Sequence, residues 1–403
     1  MRDRSSELVG EPPGNPGDFS LVLGGPLFQL LRRARLSGDA LTLLRRRVLA
    51  IVAFTWLPLL ALSAIGGQLL GGRAAVPFLM DVDVHIKFLV VVPLLIVAEL
   101  VVHRRISPLV NQFLEQGLVP ETARPRFDAA VASALRLRNS VLAEVLLIAL
   151  VYGVGVSVIW RHYVALATTT WYATPSGGGS TLSLVGWWYG FVSLPVFQFL
   201  ALRWVFRLSI WLRFLWQVSR LDLDLVPTHP DRVGGLGFLS NVLYAFIPLS
   251  AAFGAVLAGN LANHIFYAGA RLPEFKMEVA AAVILLVSLF VAPLLVFTTR
   301  IAQTKRTGIL EYGRLGQRYV REFDVKWLRG GAPVGEPLVG SGDIQSLADL
   351  GNSYEVVRTM RMAPVAIQDI IRLALAALVP IAPLGLTVMP LEDLLKLALG
   401  LLR

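Results

Sequence analysis

Two carboxylates stand alone inside long apolar runs: Glu99 in VVPLLIVAELVV and Glu144 in SVLAEVLLIALV. A carboxylate surrounded by hydrocarbon either lies on an ion or proton path or is paired with a base. Arg203 and Arg207 sit at the end of another apolar run, and basic pairs at Arg104/Arg105 and Arg136/Arg138 lie about one to two helical turns from the two glutamates. Antiparallel helices would therefore bring Glu99 and Glu144 to similar depth. Two chemistries follow. The carboxylates form the mouth of a cation or proton path, or each is held in an ion pair with an arginine at an interface.

Other positions could carry chemistry. Pro58, Pro93, Pro195 and Pro248 fall near the middle of four apolar runs, with Pro293 deep in another. Proline bends a helix and frees the carbonyl four residues earlier, here those of Phe54, Leu89, Phe191 and Tyr244. Such carbonyls coordinate cations where they face one cavity, although proline is also tolerated in apolar helices without that role. Asp81, Asp83 and His85 alternate in DVDVH, a weak metal candidate because the spacing matches no established ligand set. His162, Asn260 and His264 would join them at the same side of the bundle.

The stretch LDLDLVPTHPDRVGGLGFLSN (221–241) is the most unusual locally. Pro227 and Pro230 stop a helix, Asp231 can cap the next, and Gly234, Gly235 and Gly237 expose backbone N–H groups. With His229 and Arg232 these could hold a phosphate or headgroup; a tight re-entry turn explains the same residues. His229-Pro230-Asp231 matches the tripeptide of J-domain cochaperones and LDLD that of phosphatases, but each lacks the surrounding elements those proteins need. No metalloprotease, P-loop, nucleophile-elbow or dinucleotide motif is present. No cofactor is expected.

The elements positioning these residues are apolar helices. The 403 residues are 55% hydrophobic and 16% charged, with mean hydropathy +0.65, which points to the bilayer as the main solvent. Seven segments, near 48–65, 86–102, 140–160, 184–206, 237–259, 279–298 and 373–389, approach the length that crosses hydrocarbon. Loops alternate in charge: those on the N-terminal side carry 29 Lys and Arg against 7 opposite, which places the N-terminus in the cytoplasm. Trp160, Tyr163, Trp171, Trp187, Trp188 and Tyr189 read as interfacial anchors at the outer ends. The net charge of +10 belongs to this asymmetry; nucleic acid is not an expected partner. The absence of cysteine excludes disulfides and thiolate chemistry.

Residues 1–47 read as a retained cytoplasmic tail with an interfacial helix from Pro26 to Arg47, and 48–298 as a six-span core. Residues 299–369 read as cytoplasmic basic helices around the Gly/Pro stretch 330–342, with Ser341 or Asp343 capping the second helix. Residues 370–403 read as a seventh span or re-entrant hairpin with an amphipathic tail, 391–403. Ser250, Gly254 and Ala258 form a small-residue stripe for close helix packing.

PTHPDRVGGLGFL (227–239), DIQSLADLGNSYEVVR (343–358) and VPIAPLGLTVMPLEDLL (379–395) resemble multi-pass bacterial membrane proteins over roughly the latter 180 residues. The resemblance implies an inner-membrane, all-α helical bundle and carries no activity with it. The expectation is a transporter or channel-like protein for a small ion or solute, with Glu99 and Glu144 on its path. A non-transporting scaffold or signalling subunit docking lipid or protein on its basic face is the alternative, and a headgroup enzyme using His229, Asp231 and Arg232 a third. The expected partners are the bilayer, anionic headgroups and, as an open option, a second copy of the chain.

Overall fold

The computed structural model describes residues 19–33, 43–71, 74–159, 169–176 and 179–388. Trp160, His162, Tyr163 and the tail 391–403 lie outside these, as do residues 34–42 of the expected interfacial helix, whose first part is α1 (Pro26–Arg33). The described residues are 76% helical and almost without strand. Among the described residues five helices are long and apolar enough to cross a bilayer: α2 (Leu44–Ile65), α3 (Val82–Glu115), α6 (Leu184–Ser219), α7 (Leu236–Ala268) and the helical rod Leu272–Leu328. The rod contains α8 (Lys276–Val291) and α9 (Thr298–Phe323). A sixth arises if α4 (Arg124–Arg138, extended back to Glu121) and α5 (Val141–Leu150, running on to Gly155) form one span bent by 48°. The apolar segment 373–389 is not among them: its helix is α11 (Ile367–Leu378), 12 residues long, followed by a 3-10 turn at Ala382–Thr387.

α7 is central. Of its apolar stretch 61% is buried, against 17% for α2 at the periphery. The stripe expected for close packing makes that contact with α11. Ser250 Oγ donates to the Leu373 carbonyl (2.7 Å), Ala258 packs with Ile381 and Leu384, and a Cβ on Gly254 would lie 2.1 Å from the Ala377 carbonyl oxygen. Where hydrocarbon offers no hydrophobic drive, such backbone approach gives the helices their attraction.

The prolines bend helices in different ways. Pro58 lies within the continuous α2, while π-helical turns at Ile86–Val91 and Tyr189–Ser193 precede Pro93 and Pro195, and a break at Phe246 precedes Pro248. Phe54, Leu89 and Phe191 point outward, and the Phe191 carbonyl accepts the Tyr152 hydroxyl at 3.1 Å. A polar neighbour thus takes up one carbonyl that proline releases.

Two sequence expectations need correction. Trp171 and Tyr189 are not interfacial anchors: Trp171 is fully buried, with its indole N–H donating to Asp81 Oδ2 (2.8 Å), and Tyr189 packs on it. Trp171, Tyr172 and Tyr189 pack on one another beside a hairpin of β1 (Ala173–Ser176) and β2 (Gly179–Leu182). Ser341 stands at the N-cap of α10 (Gly342–Arg358), but its hydroxyl makes no capping bond, and Asp343 instead accepts from Lys326 (2.8 Å) and the Trp327 indole (2.9 Å). The latter contacts tie α10 back to the end of the α9 rod.

Gly254→Ala is expected to destabilise the fold by about 1–3 kcal/mol, because a backbone carbonyl must move. Gly316→Ala, in α9 with open space around it, is expected to be neutral or slightly stabilising. Thermal unfolding of the two purified variants compares them.

Candidate functional site: a buried arginine and glutamate cluster

The first turns of α2 and α5 meet the later halves of α3 and α6 at one end of the bundle. Spacing decides what each contributes. Arg203 and Arg207, four apart, share one face of α6, and Glu144 sits in the first turn of α5 behind the Ser140 cap. Glu99 lies at the centre. Its Oε2 is 2.5 Å from Arg47 Nη1, and its Oε1 is 2.8 Å from Arg207 Nη1 and 3.8 Å from Arg203 Nη1. Arg203 Nη2 continues to Glu144 Oε1 at 3.3 Å. None of the five is more than 8% exposed.

Arg203 therefore joins the two carboxylates anticipated from sequence. Their partners are Arg47, Arg203 and Arg207, not Arg104, Arg105 or Arg136. Trp204 holds the two long helices in register: its indole N–H donates to the Leu95 carbonyl (3.0 Å), and the Arg207 guanidinium stacks over its ring at 4.8 Å. Three guanidiniums meet two carboxylates, leaving one surplus positive charge. Arg47 Nε and Nη2 are buried without a hydrogen-bond partner.

Sequence reading missed the segment that closes this end. Phe19–Val22 is inserted into the bundle and buried, with Phe19 against Phe214 (5.0 Å between centroids). Arg138 Nη1 donates to the Ser20 carbonyl (2.7 Å), and the Leu27 amide donates to Glu144 Oε2 (2.9 Å). The signal was present as a short apolar run, FSLVL, before Gly24-Gly25.

The other end of α3 holds a second polar group. Asp81 caps the helix through the Val84 amide and accepts from Trp171 and Asn263; Asp83 pairs with Lys87; His85 Nδ1 accepts from the Trp56 indole at 3.1 Å. Each residue of the candidate metal set thus has a partner of its own, while Asp83 Oδ1 and His85 Nε2 stay buried without one. Among the described residues no three His, Cys, Asp or Glu side chains converge to hold a metal ion. Between Lys87 and Glu99, about 18 Å along the helix, Phe88, Val91, Val92, Leu95, Ile96 and Ala98 are at most 1% exposed.

The glycine-rich loop folds around its own aspartate. Asp231 Oδ1 accepts from the amides of Val233 (2.9 Å) and Gly235 (3.2 Å), and Oδ2 from Gly237 (2.7 Å). The amides expected to receive an external anion are therefore filled from within. Gly234 and Gly235 adopt φ of 73° and 99°, which a side chain resists. His229 Nδ1 lies 2.9 Å from Asp231 Oδ1, and the exposed Arg232 uses its carbonyl to accept the Arg361 amide (2.8 Å). Burial acts to raise the Asp231 carboxyl, but the amides of Val233, Gly237 and Gly235, together with His229, outweigh it and hold it below its ordinary 3.8.

Glu99→Gln leaves three arginines buried around a neutral group and is expected to destabilise by about 3–5 kcal/mol; Glu144→Gln costs less, because Arg203 still faces Glu99. Equilibrium unfolding in bicelles measures both. Since the Asp231 carboxyl is lowered on folding, its stabilisation is complete above the unfolded value and fades as pH falls through the folded one. Hydrogen exchange at Val233, Gly235 and Gly237, corrected for intrinsic rates, is expected to be flat above about pH 5 and to accelerate below about pH 4. Asp231→Asn should accelerate it at every pH.

No protein-family model, curated protein or solved structure matches the chain, so the reading of this site rests on its own geometry.

Proposed function

We propose that the chain is a non-transporting docking protein of the bacterial inner membrane, with a cytoplasmic N-terminus, whose basic inner face holds anionic lipid. One observation carries the choice against transport: on α3 itself the buried side chains between Lys87 and Glu99 are all apolar, and the nearest buried polar groups on α2 and α6, Thr55 and Ser193, are joined to each other by the Ser193 hydroxyl on the Thr55 carbonyl (2.7 Å). A cation path through Glu99 is further disfavoured by the three guanidiniums around it. Arg45, Arg46, Arg104, Arg105, Arg136 and Arg213 are exposed on segments that the charge asymmetry assigns to the cytoplasm. Each basic residue near an anionic surface contributes about 1 kcal/mol. A headgroup enzyme draws less support, since Asp231 is committed to three amides.

The π-helical turns at Ile86–Val91 and Tyr189–Ser193 favour transport as the second reading, because such turns often mark moving or functional sites. Purified protein in sealed liposomes separates the two. The docking reading expects a higher thermal midpoint in phosphatidylglycerol vesicles than in phosphatidylcholine, a difference that salt diminishes, and ion flux no greater than in empty liposomes. Flux under an imposed gradient that disappears in a folded Glu144→Gln variant would establish transport instead.

A further inference from the structure

The loop that joins α9 to α10 pairs its polar groups with one another and displays its aliphatic ones. Lys326 Nζ reaches Glu336 (2.6 Å) and Asp343 (2.8 Å), the Trp327 indole N–H donates to the same Asp343 carboxylate, and the Gly331 amide donates to the Val325 carbonyl (3.1 Å). Two turns follow one another in PVGEPLVGS. The Glu336 amide donates to the Pro333 carbonyl (3.1 Å) and the Ser341 amide to that of Leu338 (3.3 Å), each closing over a glycine, Gly335 or Gly340, with φ of 91° or 88°. A left-handed third residue is what a type II turn demands, and it leaves the second residue at the corner. That residue is valine both times. Val334 is fully exposed and Val339 is 89% exposed, with Leu328 and Leu338 exposed beside them. A depression of about 530 Å³, lined by Val325, Gly331 and Pro333, adjoins the turns.

We propose that this tip docks a soluble cytoplasmic protein, whose aliphatic groove takes Val334 and Val339. Lipid is out of reach: the Tyr312 hydroxyl still meets Thr228 of the re-entry loop at 3.5 Å, and the continuous rod rises about 24 Å more from there to Leu328. A second copy of the chain is poorly supplied. Four aliphatic side chains offer on the order of 400 Å² at most, about half of the roughly 800 Å² per partner that a stable dimer buries. The charges of the tip balance, Arg318, Arg321, Lys326 and Arg329 against Glu322, Asp324, Glu336 and Asp343, so no net field steers it to an acidic or basic surface. What it offers is small, apolar and already shaped, because Pro333, Pro337 and the two turns lower the ordering cost of binding. The inference rests on the docking reading above for the cytoplasmic placement of α9 and α10, and adds a protein partner to the lipid.

The test places a photo-crosslinking residue at Val334, at Val339 and, as control, at the exposed Gln317 of the full chain in a bacterial host. One soluble protein is expected at both valines and not at Gln317. That protein, purified, is titrated against the full chain in phosphatidylcholine nanodiscs, where anionic lipid plays no part. Val334→Asp with Val339→Asp is expected to weaken binding about tenfold or more, and raised salt to change it by less than about threefold. Both valines are exposed, so the thermal midpoint of the variant should match the parent; Val334→Ser with Val339→Ser repeats the test without new charge. Crosslinks to a second copy of the chain, crosslinks shared with Gln317, or none at all overturn the proposal, as does parent-like affinity in the serine variant. Binding that salt abolishes moves the contact to the basic face and overturns the tip as the site. A lipid-independent thermal midpoint counts against the anionic-lipid reading alone and leaves this result standing.

Discussion

Glu99 cannot be buried at the centre of four helices unless its charge is met, and the way it is met organises this end of the molecule. Arg47 must come from α2, Arg203 and Arg207 from α6, and the shared Arg203 then fixes Glu144 and with it α5. Desolvating five charged groups offsets much of their attraction, so the network adds less net stability than its contacts suggest. What it supplies is uniqueness: a rotation of α6 by one residue would strand a charge among apolar side chains. The Trp204 bond to Leu95 fixes the same register without charge.

The rest of the fold is consistent with that constraint. Phe19, Phe113, Phe127 and Phe214 pack ring against ring in the buried core, and the inserted N-terminal segment Phe19–Val22 is buried among them. At the far end, α7 and α11 approach through Gly254, and the Trp171 indole reaches Asp81. The two polar ends are joined by dry packing along α3.

The helices were readable from the apolar runs because bilayer length and backbone satisfaction leave little choice. Arg203 and Arg207 share one face of α6 by their spacing, whereas Asp83, read as part of a metal candidate, pairs with Lys87 one helical turn on. Arg47 was not readable: it is the last of three consecutive arginines, and only the packing of α2 decides which one turns inward. Trp171 was misplaced because an indole at a span end looks the same in sequence whether it meets headgroups or a buried carboxylate. The glycine loop offered both an anion cradle and a turn, and the side chain of Asp231 decides for the turn. The last apolar region failed as a simple helix because Pro380 and Pro383 interrupt it after α11.

The claim most in need of a direct measurement is that Glu99 and Arg47 act as one buried unit. A double-mutant cycle of Glu99→Gln and Arg47→Gln, followed by equilibrium unfolding in bicelles, isolates their coupling. The lock predicts strong coupling, with the double variant losing clearly less than the two single losses together, by about 1–3 kcal/mol. Additive losses would contradict it and return Glu99 to the role of an independent carboxylate on a path.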